Sequence, residues 1–127
     1  MTPDVEQAIA EIKMSFEGQL VEIEPETQGG AYVIVHELPI GIQYFPATSW
    51  IGFLIGFQYP RADIYPHFMD VGVRRLDGKA LGESFSGPTE WQKRTAIQVS
   101  RKSRQWDASV DTAATKLAQV LEWILSR

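Results

Sequence analysis

The residues best placed to do chemistry stand in one short run, Gln98-Val99-Ser100-Arg101-Lys102-Ser103-Arg104-Gln105-Trp106. Ser100 is the sharpest candidate, as a hydroxyl that accepts an acyl group. A hydroxyl is a weak nucleophile at neutral pH and needs an adjacent base. No histidine is near it in sequence, so a base would have to come from elsewhere in the fold, with His67 or Asp63 the candidates. Arg101, Lys102 and Arg104 carry the charge that would steady a developing oxyanion. The plainer reading makes Ser100 and Ser103 ordinary loop hydroxyls.

The same cations, with Lys93 and Arg94 upstream, form a basic concentration in a chain whose net charge is −4. Charge concentrated against the overall sign is either a solvated face or a dock for an acidic tail or surface. His67, between Pro66 and Phe68, reads as a proton-transfer group or as a structural histidine bonded to loop backbone. His36 falls inside a strand pattern. Asp63 and Asp70 read as turn caps.

Exclusions are firmer. The chain has no cysteine, which removes disulfides, thiolate catalysis and cysteine-ligated metal sites. With two histidines at no metal-binding spacing, no metal and no cofactor is expected. A pI near 5.1 argues against general nucleic-acid or anionic-membrane binding. The apolar run Trp50 to Phe57 is too short to span a bilayer, and no signal-peptide pattern opens the chain, so a cytoplasmic location is expected. No Gly-x-Ser-x-Gly elbow points to a small hydrolase.

The elements that must position these residues are legible in outline. The 127 residues, 44% of them hydrophobic, suffice for one core, and a single domain over 1–127 is expected. Thr2-Pro3-Asp4 opens a helix with Val5, Ile9, Ile12 and Phe16 on one face, ended by Gly18. Strands follow over Leu20 to Glu24, Ala31 to Leu38, Ile40 to Phe45 and Trp50 to Gln58, and their short connections predict an antiparallel meander. Residues 59–95 lose regular pattern and must be pinned by aromatic anchors, Tyr59, Tyr65, Phe68, Phe85 and Trp91 among them. Short strands are expected around Met69 to Arg74 and Ala96 to Val99. Asp107 or Ser109 caps a last helix with Val110, Ala113, Ala114, Leu117, Leu121 and Ile124 along one face. Trp123 falls off that stripe, and an exposed Trp123 would mark a partner surface. The sum is an α+β architecture: helix, four-stranded meander, long irregular segment, helix.

This order resembles the ubiquitin-conjugating (UBC, RWD-like) superfamily. Phe57-Gln58-Tyr59-Pro60-Arg61-Ala62-Asp63-Ile64-Tyr65-Pro66 is similar to that superfamily's Tyr-Pro-rich signature, which makes Tyr59, Pro60, Tyr65 and Pro66, with Trp91 and Trp106, the expected structural anchors. Leu76-Asp77-Gly78-Lys79 resembles a loop of its modifier-conjugating members. The Asp-Gly-Lys loop, Trp91-Gln92 leading to Ser100-Arg101, and Trp106 followed by Asp111 resemble a bacterial branch found beside ubiquitin-like proteins. The resemblance implies a ubiquitin-like protein and an activating enzyme as partners. It also implies a catalytic cysteine between Ile97 and Ser100 and a His-Pro-Asn triplet, and the chain has neither. What remains is a Ser100-linked oxyester carrier, a non-catalytic scaffold, or an RWD-type interaction module that handles no modifier.

Overall fold

The computed structural model describes all residues, 1–127. Helix α1 (Pro3–Ser15) begins where the sequence places it. Thr2 Oγ1 accepts from the Val5 N–H at 3.1 Å, and Pro3 stands where its missing N–H costs nothing. Its buried residues Val5, Ala8, Ile9 and Ile12 recur every three or four positions, so one stripe faces the core.

Strands β1 (Val21–Pro25), β2 (Ala31–Pro39), β4 (Thr48–Ile55), β5 (His67–Asp70), β7 (Phe85–Trp91) and β8 (Arg94–Val99) form one six-stranded sheet in the order β1-β2-β4-β5-β8-β7, every pairing antiparallel. Two-residue strands β3 (Tyr44–Phe45) and β6 (Arg74–Arg75) form a separate ribbon. Helix α2 (Ala113–Leu125) closes the fold and packs beside α1. One core of 24 buried residues joins both helices to the alternating residues Val33 and Val35, Ile51, Phe53 and Ile55, Met69, Ile97 and Val99 of the sheet. No helix is long and apolar enough to cross a membrane.

The expected α+β architecture, with a helix at each end of the chain around an antiparallel sheet, is what the structure has. The sheet is wider than the hydrophobic pattern implies. The hairpin β7–β8 takes up part of the segment read as irregular; in β7, Gly87, Pro88 and a register shift between Ser86 and Thr89 interrupt the alternation that would mark a strand. Ile40 to Phe45 is not a full strand. Gly41 at φ +132° turns the chain, leaving only Tyr44 and Phe45 to pair with β6.

The last helix starts later than expected. Asp107 instead accepts from the Ser109 N–H at 2.9 Å and hydroxyl at 2.6 Å, closing a turn of its own, and Val110 is exposed. The cap is Thr112, whose Oγ1 accepts from the Thr115 N–H while the Thr115 Oγ1 accepts from the Thr112 N–H, a reciprocal box at 3.1 and 3.0 Å. At the other end, carbonyls left without helical partners are met by β3 and the residue before it: Tyr44 Oη donates to Ile124 O and Gln43 Nε2 to Leu125 O, both at 2.8 Å. Arg75, which precedes the Asp77-Gly78-Lys79 loop and donates to Asp77, also donates to Arg127 O at 3.1 Å.

Candidate functional site

Residues 100–106 leave the end of β8 and cross to α2. Ser100 stands just past the end of β8, and its N–H donates to Ser84 O at 2.7 Å, one rung beyond the β7–β8 ladder. Its Oγ accepts from Gln98 Nε2 at 3.0 Å and meets no base. His67, the sequence-level candidate for that base, is fully buried on β5 against Phe53, and neither ring nitrogen has a hydrogen-bond partner. Burial, with the charge of Lys116 adding to it, pushes His67 down to about 3, so the ring is neutral at physiological pH. A neutral imidazole with no partner and no exposed surface does not serve Ser100 as a proton acceptor. It is a core residue whose polar atoms the fold leaves unmatched. His36 is a strand residue, as expected, with Nε2 2.7 Å from Glu22 Oε1.

The polar centre of the segment is Ser103 instead. Its Oγ donates to Asp63 Oδ1 at 3.1 Å and accepts from Lys116 Nζ at 2.6 Å, and its N–H donates to Asp63 Oδ2 at 2.7 Å. Lys116 Nζ lies 3.1 Å from Asp63 Oδ1, with the lysine side chain 4% and the aspartate 13% exposed. The Asp63 carboxylate, which burial alone would push up, is held below its ordinary range by the bonds from Ser103 and by the Lys116 ammonium. Asp63 is thus more than the turn cap its sequence neighbours suggest, although it also accepts from the Ile64 N–H at 2.7 Å. Lys116 escaped the sequence reading. Its position carried a signal, however: it lies three residues after Ala113 and four before Val120, inside the apolar stripe of α2, where a lysine demands a partner.

The anchors divide into two groups. Trp106 Nε1 donates to Pro60 O at 2.7 Å and its ring tilts over Tyr59, whose hydroxyl accepts from the Ala113 N–H at 3.1 Å. Tyr59, Pro60 and Trp106 therefore fasten the Tyr-Pro turn, the 100–106 segment and the start of α2 together. Tyr65, by contrast, is 46% exposed and fastens nothing. Trp91 pins the tip of the β7–β8 hairpin onto the sheet face remote from the helices, stacked between Phe68 and Trp50 and lying over Gly52.

Beside the Ser103 cluster opens a cleft of about 290 Å³ between the 100–106 segment and α2, lined by Arg101, Lys102, Arg104, Lys116, Gln119 and Trp123 among others. Trp123 is half-buried rather than exposed, with the Arg101 guanidinium 4.5 Å and the Arg127 guanidinium 5.2 Å from its ring centre. Arg101, Lys102 and Arg104 are exposed on the cleft side. Lys93 and Arg94 do not join them. They sit at the opposite end of β8, whose six residues span roughly 20 Å, and Arg94 is held there by Glu22 at 3.1 Å and by the Trp50 ring. Gln92 and Lys93, at φ 48° and 63°, form the tight turn of that hairpin.

Neither curated proteins nor solved structures give a match to this chain. A match to a protein family is found, and it runs from Asp4 to Arg127, taking in the Tyr-Pro turn, the segment where a cysteine would stand, and both helices. A helix–sheet–helix fold with a Tyr-Pro turn bonded to a following tryptophan agrees with that match, and over residues 4–127 the chain belongs to the Prokaryotic E2 family E, a ubiquitin-conjugating-like family of prokaryotes.

Proposed function

We propose that this domain works in a bacterial ubiquitin-like modification pathway, where it binds a ubiquitin-like protein and its activating enzyme. The observation that carries this reading is the cleft between residues 101–105 and α2, which presents Arg101, Lys102 and Arg104 on one rim in a protein of net charge −4. Cations gathered against the sign of the whole chain attract an acidic partner selectively, because the rest of the surface repels it. Trp123, clasped by two guanidiniums at the cleft wall, offers the amphipathic surface common where binding energy concentrates.

Ser100 contributes little to this function. Its hydroxyl meets only the Gln98 amide, and His67 is closed off in the core, so an oxyester through Ser100 lacks the base it needs. An RWD-type module that handles no modifier is less well supported, since it gives the basic cleft no role.

The test is a binding titration with a bacterial ubiquitin-like protein and its activating enzyme. Arg101→Glu with Arg104→Glu should weaken binding of the ubiquitin-like protein by tenfold or more, and the wild-type affinity should fall as salt rises. Lys93→Glu with Arg94→Glu, roughly 20 Å away along β8, should change it far less. Equal loss from both pairs, or no binding to either partner, would sink the proposal.

A further inference from the structure

The Ser103 cluster is built in a way that an ion pair alone does not require. Asp63 and Lys116 already satisfy each other at 3.1 Å. Ser103 Oγ closes a triangle with them, donating its proton to the carboxylate and accepting from the ammonium. Ser103 and Lys116 line the basic cleft, whereas Asp63 stands behind them and does not. The order from the cleft inward is therefore hydroxyl and ammonium, then carboxylate, which is the order an acyl acceptor needs: nucleophile toward the substrate, proton acceptor behind it.

We infer that Ser103, and not Ser100, is the hydroxyl of this domain that accepts an acyl group, with Asp63 as its base and Lys116 as its electrostatic partner. The acyl donor is a thioester of a protein C-terminus, and that identity rests on the modifier-binding reading above; the reactivity of the hydroxyl does not. In the step, Ser103 Oγ attacks the thioester carbonyl, a C–O bond forms and the C–S bond breaks. The Oγ proton passes to Asp63 Oδ1 and from there to the departing thiolate, which leaves as a thiol. Nothing is oxidised or reduced. The Lys116 ammonium, 2.6 Å from Oγ on a side chain only 4% exposed, stabilises negative charge developing at the reacting centre. Asp63, held below the ordinary carboxylate range, is a weak base. The rate should accordingly be that of a slow single loading and not of hydrolytic turnover.

Two probes test this without the native partners. The first is a biotinylated fluorophosphonate, which reacts with activated serines by forming an O–P bond and releasing fluoride. Peptide mapping of the wild-type protein should find the label on Ser103, with labelling at least tenfold slower in Asp63→Asn and unchanged in Ser100→Ala. A label on Ser100, or no label at all, overturns the inference, and because the map is made on the wild-type protein that outcome does not depend on any variant folding. The second probe is the mercaptoethanesulfonate thioester of diglycine, used on Ser103→Cys. This variant should hold the diglycyl group as a thioester released by added thiol, and should load it at least tenfold faster than Ser100→Cys. Equal or faster loading of Ser100→Cys counts against the inference. Ser103 labelling without binding of the ubiquitin-like protein would refute the proposed partner alone; binding without labelling would refute Ser103 alone.

Discussion

Lys116 Nζ and Asp63 Oδ1 lie 3.1 Å apart, joining the first turn of α2 to the residue three positions after Pro60, with both side chains almost wholly out of water. A buried pair of this kind does not guarantee stability, but removing one partner leaves an uncompensated charge. Asp63→Ala should therefore cost about 3–5 kcal/mol in denaturant unfolding. The double variant Asp63→Ala, Lys116→Met should cost less than Asp63→Ala alone. If the double variant is the less stable of the two, the lysine is not held by the aspartate.

His67 makes stability depend on pH. Its folded pKa, about 3, lies below the ordinary 6.5 because burial disfavours the charged ring. Below pH 6.5 the unfolded chain binds a proton that the folded one refuses, so stability falls as pH drops from about 6.5 toward 3 and levels beyond. The slope approaches ~1.4 kcal/mol per pH unit. In His67→Leu that slope should flatten over the same window, as read from urea unfolding at successive pH values.

Gly52 lies directly beneath Trp91, and a Cβ there would run into the indole ring. Gly52→Ala should push Trp91 off its stack between Phe68 and Trp50. The expected cost is about 1–3 kcal/mol, accompanied by a change in tryptophan emission. Unaltered fluorescence and stability would mean that the indole is not seated on the strand.

The hairpin turn offers a gain. Gln92 and Lys93 both adopt left-handed backbone angles, φ 48° and 63°, in a turn that favours Asn-Gly. Gln92→Asn with Lys93→Gly should raise the midpoint of thermal unfolding, by an amount worth up to about 1 kcal/mol. A fall in that midpoint would count against the turn geometry.

Trp106 binds the Pro60 carbonyl through its indole N–H at 2.7 Å. Trp106→Phe keeps most of the ring but orphans that carbonyl, and a loss of about 1–3 kcal/mol is expected. Ser100→Ala should stay within about 0.5 kcal/mol of wild type, because Gln98 is its only side-chain hydrogen-bond partner.

The sequence by itself determined the element types wherever side-chain periodicity is strong: α1 with its Thr2 cap, β2 and β4, and the apolar stripe of α2. It also determined that no thiol chemistry is available; which of the aromatic anchors expected from sequence hold the 100–106 segment, Tyr59, Pro60 and Trp106 but not Tyr65 or Trp91, only the packing shows. Weak periodicity hid the rest. β7 carries Gly87 and Pro88 and alternates poorly, so its place at the sheet edge depends on the ladder it makes with β8. Only the tertiary structure decided which hydroxyl has acid–base partners. Asp63, Ser103 and Lys116 come from a turn, a loop and a helix up to 53 residues apart, and a carboxylate acts on a hydroxyl only at hydrogen-bond distance. Sequence proximity drew attention to Ser100; the packing of α2 against the Tyr-Pro turn brings the carboxylate and the ammonium to Ser103 instead.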